Sequence, residues 1–297
     1  MPVVPAAAKV LVSGVNGYLC VWVAHTFLEH DYTIRGTARS YDYGFELVEV
    51  ADTTAVRIDV VAHIASLFHY NATEPSDPID LVVKSIVSIL ESIQAHALIV
   101  KRIALTTSYA DWNDQAVDLV KKKSGVAGGA TIYGASKTLA EMAAWKFLEQ
   151  SVSVSDLVLI NPPYLIGGPI QEVHSMVELN TSQKIIFDVL TGKLPDDQYE
   201  EIDFSLVYIC NVAETHVRVA ESPQEGGTRC LVSAGACSPQ DILDIANSLE
   251  PKPWDGMLHM IAFNTQQFER VHGFKLRTLA GTIADSLKDF RAQGWIQ

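Results

Sequence analysis

The first half of the chain alternates short β-branched runs with longer segments of helical period. Lys9–Ser13, Tyr32–Ala38, Phe45–Val50, Asp59–Ile64, Arg102–Thr107 and Asp156–Ile160 carry the apolar character of buried strands. Leu19–Glu29, Ile79–Ala95 and Ile132–Gln150 have the length and apolar spacing of helices. Strands alternating with such helices predict an α/β fold, a doubly wound parallel sheet covered on both faces. Asn161-Pro-Pro163 ends the sixth strand, because proline has no N–H to give a ladder. Beyond it the order loosens into a helix near Met176–Leu190, strands near Phe204–Ile209 and Arg229–Ser233, and helices at Asp241–Leu249, Gln266–His272 and Thr278–Phe290. The expected division is a sheet domain over residues 1–161 and a smaller C-terminal substrate-binding lobe over 162–297, some of whose segments return to the sheet.

With 297 residues, 48% hydrophobic and 19% charged, the chain can bury a full core. Its formal charge of −13 argues against nucleic acid or an anionic membrane surface as partner. No apolar run reaches the ~20 residues of a transmembrane helix. Met1–Ala8 lacks the basic and apolar regions of a secretory signal, so a cytoplasmic location is expected. Cys20, Cys210, Cys230 and Cys237 have no metal-ligand spacing; free thiols and no metal are expected.

Two short stretches carry candidate chemistry. Tyr133-Gly-Ala-Ser-Lys137 opens a predicted helix, and residues four apart on a helix share one face. A cation beside a phenol favours phenolate, so the tyrosine gives up its proton below its ordinary pKa of ~10. Gly14-Val-Asn-Gly17 lies between a predicted strand and a predicted helix, the setting in which backbone N–H groups bind a dinucleotide pyrophosphate. Cys20 stands where the glycine pattern has its third glycine. A proton donor and a nicotinamide site in one chain point to carbonyl reduction.

Six motifs follow one another in order: Gly14-Val-Asn-Gly17-Tyr, Tyr32-Thr-Ile-Arg-Gly-Thr-Ala-Arg39-Ser, Val61-Ala-His-Ile-Ala-Ser66, Leu105-Thr-Thr-Ser108, Tyr133-Gly-Ala-Ser-Lys137 and Asn161-Pro-Pro-Tyr164. In that order they resemble the extended short-chain dehydrogenase/reductases of Rossmann type, above all the fungal aldehyde, ketone and methylglyoxal reductases related to dihydroflavonol and cinnamoyl-CoA reductases. The resemblance implies NADPH as cofactor and a small carbonyl compound as substrate. It implies Tyr133 as general acid, Lys137 as the cation that lowers its pKa and holds the nicotinamide ribose, and Ser108 as the group that orients the carbonyl. The cofactor would lie on Gly14, Asn16, Gly17, Tyr18 and Leu19, with Arg39 at the 2′-phosphate and Asp52 near the adenine. Ala65 and Ser66 would end a strand against it, and Pro162 and Pro163 would shape the turn under the nicotinamide. Phe68, Tyr70, Tyr164, Met176 and Tyr208 are the candidate substrate-pocket residues, whereas His63 and His69 are expected to be structural.

The chain departs from that pattern in three places. Only Ser40–Gly44 separates the second and third predicted strands, although a parallel crossover ordinarily takes a dozen residues or more. The stretches from Asp52 to Asp59 and from Ser108 to Asp111 are similarly short. Two alternatives therefore stand beside the reductase: a sugar-nucleotide epimerase or dehydratase on the same scaffold, and a protein that binds NADP without turnover. Monomer and homodimer both fit, with Ile79–Ala95 and Ile132–Gln150 as candidate pairing helices.

Overall fold

In the computed structural model the described residues are 3–5, 7–38, 57–65, 76–96, 99–108, 113–122, 128–151, 155–171, 173–194, 204–249 and 273–296. The chain runs β1 (Lys9–Ser13), α1 (Tyr18–Glu29), β2 (Thr33–Thr37), β3 (Val60–His63), α2 (Ser76–His96), β4 (Arg102–Thr106), α3 (Asp114–Lys122) and α4 (Gly129–Gln150). It continues through β5 (Asp156–Asn161), β6 (Tyr164–Ile166), α5 (Thr181–Leu190), β7 (Phe204–Tyr208), α6 (Ile209–Glu221), β8 (Arg229–Leu231), β9 (Gly235–Cys237), α7 (Pro239–Leu249) and α8 (Leu279–Ala292).

Side chains on a strand alternate between faces, and this sheet buries both. Val10, Val12, Val60, Ala62, Ala104, Val158 and Ile160 pack against α1 and α6, where Phe27, Val212 and Val217 are fully buried. Val61, Ile103, Leu105, Leu157 and Leu159 face the other way, onto Ile86, Leu90 and Ile93 of α2 and Ala140 and Ala144 of α4. The resulting sheet is parallel throughout, in the order β2-β1-β3-β4-β5-β8. This is the Rossmann-type doubly wound architecture read from the strand–helix alternation. The order reverses at β1, which has β2 on one side and β3 on the other. A reversal of this kind opens a crevice beyond the carboxyl ends of the strands.

A second sheet, β6-β7-β9, packs with α5, α7 and α8 around Ile166, Ile186, Phe187, Leu206, Ile283 and Phe290. The Phe187 and Phe290 rings meet edge to face, 5.6 Å between centroids. β8, from the second half of the sequence, belongs to the main sheet, beside β5.

Several elements differ from the sequence reading. The helix expected over Met176–Leu190 is divided: Met176–Glu178 forms a single 3₁₀ turn, and α5 starts anew after Asn180. The Asn180 side chain accepts from the Gln183 N–H at 3.1 Å, so this asparagine is an N-cap that begins a helix instead of continuing one. Helix α3 and the three-residue strands β6 and β9 were not expected; α3 is only nine residues long, although Ala116, Val117 and Val120 do fall together on its packed side. The expected strand Phe45–Val50 and helix Gln266–His272 lie outside the described residues.

Gly36 on β2 is held there by space. A Cβ at this position would sit 2.5 Å from Val15 Cγ1 and 2.8 Å from Val15 Cβ, directly against the turn that follows β1. Gly36→Ala is expected to destabilise the fold by about 1–3 kcal/mol, the ordinary cost of overpacking. Adding Val15→Ala should recover part of that loss in a urea titration, and equal midpoints for wild type and Gly36→Ala would refute the contact.

Candidate active site

The glycine turn is built at the sheet reversal. Ser13, the last residue of β1, accepts at its Oγ from the N–H groups of Ile64 and Ala65, 2.9 Å each, which ties the ends of β1 and β3 together. On the other side the Val15 N–H donates to the Thr37 carbonyl at 2.8 Å and the Gly14 N–H to Thr37 Oγ1 at 3.2 Å. Gly14 has φ +68°, and a Cβ there would lie 3.0 Å from the Cβ of Ala65. Both conformation and space therefore demand glycine. Gly17 caps α1 with no side-chain hydrogen bond, and the first turn of the helix carries no acid. The leading N–H groups have no intrahelical acceptor, and the positive end of the helix favours an anion. Cys20 is buried under this turn, where desolvation pushes its thiol up to about 12, so it packs as a small apolar group. Asn16 and Leu19 complete the segment, the first half-buried and the second buried.

Tyr133 and Lys137 lie one turn apart near the start of α4. The Lys137 side chain is only 7% exposed, and its Nζ stands 5.5 Å from the centroid of the Tyr133 ring. Burial lowers its pKa to about 8, against an ordinary value of about 10.5. Lys137 borders a cavity of about 220 Å³, together with His63 and Ala65 at the end of β3, Leu105 and Thr106 at the end of β4, and residues of α2 that include Ser85. His63 is buried with neither ring nitrogen hydrogen-bonded. Desolvation first, and the Lys137 charge second, lower its pKa to about 4, so it is neutral at pH 7. The sequence reading made His63 structural, and its position facing Lys137 was not legible there.

Ser108 follows β4 by two residues and is anchored by its neighbour. The Thr107 N–H donates to the Ile160 carbonyl at 2.9 Å, and Thr107 Oγ1 accepts from the Ser108 N–H. That hydroxyl also meets the Glu141 carboxylate at 3.5 Å and the Asn161 amide at 3.4 Å. Glu141 is 2% exposed and paired with Arg229 of β8, Nε to Oε1 at 2.5 Å. Pro162 and Pro163 join β5 to β6 and so carry the chain from one sheet to the other.

The remaining candidates fall elsewhere. Tyr18 gives its hydroxyl to the Gly167 carbonyl at 2.7 Å, Trp22 gives its indole N–H to the Gly168 carbonyl at 2.9 Å, and α1 is thereby strapped to the lobe. Tyr164 packs on the lobe core, and Met176 is exposed on its 3₁₀ turn. The Tyr208 ring lies under Arg277, 4.9 Å from the guanidinium carbon, and burial raises its pKa. None of Tyr164, Met176 and Tyr208 borders the cavity beside Lys137. Arg39, Asp52, Ser66, Phe68 and Tyr70 lie outside the described residues, as does His69.

A glycine turn at the reversal of a parallel sheet, opening onto a helix N-terminus, is the arrangement of a nucleotide-binding α/β protein. The NAD dependent epimerase/dehydratase family model matches residues 10–235, and the chain belongs to that family. The ketoreductase azaE of Aspergillus niger is 28% identical over 97% of this chain and 98% of its own length. Cinnamoyl-CoA reductase CAD2 of Medicago truncatula is 28% identical over 75% of each chain. The crystal structure of yeast methylglyoxal/isovaleraldehyde reductase Gre2 complexed with NADPH has a TM-score of 0.79 to this fold at 26% identity, covering 97% of this chain and 100% of the other. The resemblance read from the ordered motifs is borne out by these relatives. The azaE alignment spans 334 positions against the 297 residues here, so that relative carries stretches this chain lacks.

Proposed function

We propose that the chain is an NADPH-dependent reductase that delivers hydride to the carbonyl carbon of an aldehyde or ketone while Tyr133 protonates the oxygen. The observation that carries this reading is the buried Lys137 ammonium over the Tyr133 ring, beside a cavity at the carboxyl ends of the parallel strands. The names of the relatives, a ketoreductase, a cinnamoyl-CoA reductase and a methylglyoxal reductase bound to NADPH, support the same chemistry. The turn fits the cofactor: Gly14, at φ +68°, makes the tight turn against Ala65, and the N-terminus of α1, without a side-chain cap, complements a pyrophosphate.

When bound, NADPH supplies the hydride. Gly14, Asn16, Gly17 and the first residues of α1 would hold its pyrophosphate, Ala65, Pro162 and Pro163 would border it, and Arg39 is assigned to the 2′-phosphate by the resemblance alone. Tyr133 holds the transferable proton on its Oη. The Lys137 ammonium stabilises the phenolate left behind, an effect enlarged by burial because the dielectric is low. Ser108 orients the carbonyl oxygen toward that phenol and donates to it as negative charge develops.

The direct test is NADPH consumption, with NADH in parallel, on methylglyoxal and on an aryl ketone. Turnover with NADPH supports the reading; cofactor binding without turnover across such carbonyls overturns it and favours a non-catalytic NADP-binding protein.

Lys137 also sets a pH dependence. Below pH 8 the ammonium is charged and assists Tyr133; as the pH rises through about 8 the charge is lost, and kcat/KM for reduction should fall along an alkaline limb there. Stability moves the opposite way. The unfolded chain keeps this proton until about pH 10.4, so between the two values it binds more protons than the folded chain and stability rises with pH. Lys137→Arg, which stays charged, should carry the limb above pH 9. A profile identical in the variant and the wild type would remove Lys137 from this role.

A further inference from the structure

Along α4 the residues Tyr133, Lys137 and Glu141 fall at intervals of four, so they follow one another on neighbouring turns, and the last two are buried. The first two belong to the proposed chemistry. The third is a carboxylate with almost no exposure, and a buried charge of this kind is tolerated only when donors surround it. They do. Arg229 reaches both oxygens, Nε to Oε1 at 2.5 Å and Nη2 to Oε2 at 3.3 Å, while Asn161 Nδ2 approaches Oε2 at 3.4 Å and the Thr107 hydroxyl approaches it at 3.5 Å. These donors come from β8, from the end of β5 and from the residue after β4, so one carboxylate joins three strands to the helix that carries Tyr133.

The geometry points to Glu141 as a positioning residue for the reaction: held by Arg229, it orients the Thr107 hydroxyl and through it the backbone of Ser108. The inference rests on the reductase reading for its catalytic consequence. A hydroxyl has one proton and two lone pairs. Two acceptors compete for that proton, the Ser108 carbonyl at 3.3 Å and the Glu141 carboxylate at 3.5 Å; when the carboxylate takes it, the lone pairs of Thr107 face the Ser108 N–H and the Asn161 amide. Ser108 is thereby pinned relative to the helix that holds Tyr133 and Lys137. Without the carboxylate the proton turns to the Ser108 carbonyl, and the contacts that hold the Ser108 backbone change.

Glu141→Gln breaks the arrangement while keeping the shape. The groups around both carboxylate oxygens named above are donors, and an amide offers its oxygen to one side only, turning NH₂ against either Arg229 Nε or the cluster of Thr107, Asn161 and Arg229 Nη2. The test is a double-mutant cycle. Alone, Glu141→Gln should lower kcat by roughly 10–100-fold, the cost of misplacing a reacting group by a fraction of an ångström to an ångström, with the NADPH Kd within about 2-fold of wild type. In a Ser108→Ala background the same substitution should cost less than about 3-fold, because groups that act as a unit are not additive. The full loss persisting in that background, or an undiminished kcat in Glu141→Gln, overturns the inference. Arg229→Lys, which keeps a cation but not the two-pronged contact, serves if Glu141→Gln does not fold, and is expected to behave the same way more mildly. Hydrogen exchange of the peptide containing Thr107 and Ser108, measured without substrate, should be at least several-fold faster in either variant; unchanged exchange also overturns the proposal. No turnover in the wild type would defeat the reductase reading instead, and exchange would then decide the positioning role alone.

Discussion

Tyr133→Phe is expected to lower carbonyl reduction by about a thousand-fold while leaving the fold and NADPH binding in place. The substitution removes one oxygen atom. The ring remains beneath the Lys137 ammonium, 5.5 Å away, and the cation–π contact survives because it depends on the ring face. What is lost is the only feature the proposed step takes from this side chain, a proton held where the carbonyl oxygen needs it. General acid catalysis by a placed group contributes about 10²–10⁴-fold, and Tyr133 receives further help from a cation with little water around it. Initial rates at saturating NADPH would check this, with cofactor binding followed by protein fluorescence. A loss below about tenfold with binding intact would mean that the proton comes from elsewhere.

The second large effect lies at the opposite end of the sheet. Arg102 begins β4 and is completely buried. Its guanidinium grips both carboxylate oxygens of Asp156 on β5, and Nη1 donates to the carbonyls of Val219 and Ser222 where α6 ends. The contact fastens two central strands to a helix, and it places a cation at the negative end of that helix. Arg102→Leu should destabilise the protein by about 3 kcal/mol, the low end for breaking a buried pair. Asp156 is 39% exposed and can recover some hydration, which argues for the lower figure; the carbonyls left without their donor argue against anything much smaller. The change should lower the thermal midpoint by several degrees. The folded fraction should retain wild-type kcat, because Arg102 touches neither the glycine turn nor α4. Tyr133→Phe and Arg102→Leu thus separate chemistry from stability in one molecule, and a catalytic defect in Arg102→Leu equal to its loss of fold would contradict that separation.

Much of the sheet was legible because its signals are local. Lys9–Ser13, Arg102–Thr106 and Asp156–Asn161 are β-branched and apolar on both faces, and α1, α2 and α4 are long enough to declare their period. The three-residue β6 and β9 were missed for the converse reason: three residues hold no periodicity, and each becomes a strand only when β7 lies alongside. The break at Asn180 was legible in principle, as a capping residue three positions before Gln183, but it was outweighed by the apolar content on either side. The site divided in the same manner. Tyr133 with Lys137, and Gly14 with Gly17, are spaced by helix and turn geometry, so their relation is written along the chain.

The amino-acid sequence by itself determined the parallel α/β fold, the glycine turn between β1 and α1, and the pairing of a phenol with an ammonium on one helical turn, because each depends on spacing over a few residues. Only the tertiary structure decided that His63 faces Lys137, that Tyr18 and Trp22 strap α1 to the lobe, and that Glu141 joins Arg229 to Thr107. These pairs are 74, 149, 146, 88 and 34 residues apart or meet across different strands, and no local pattern encodes them. They exist because a parallel sheet brings the ends of distant strands side by side, and because a charge buried there must find its donors wherever the fold supplies them.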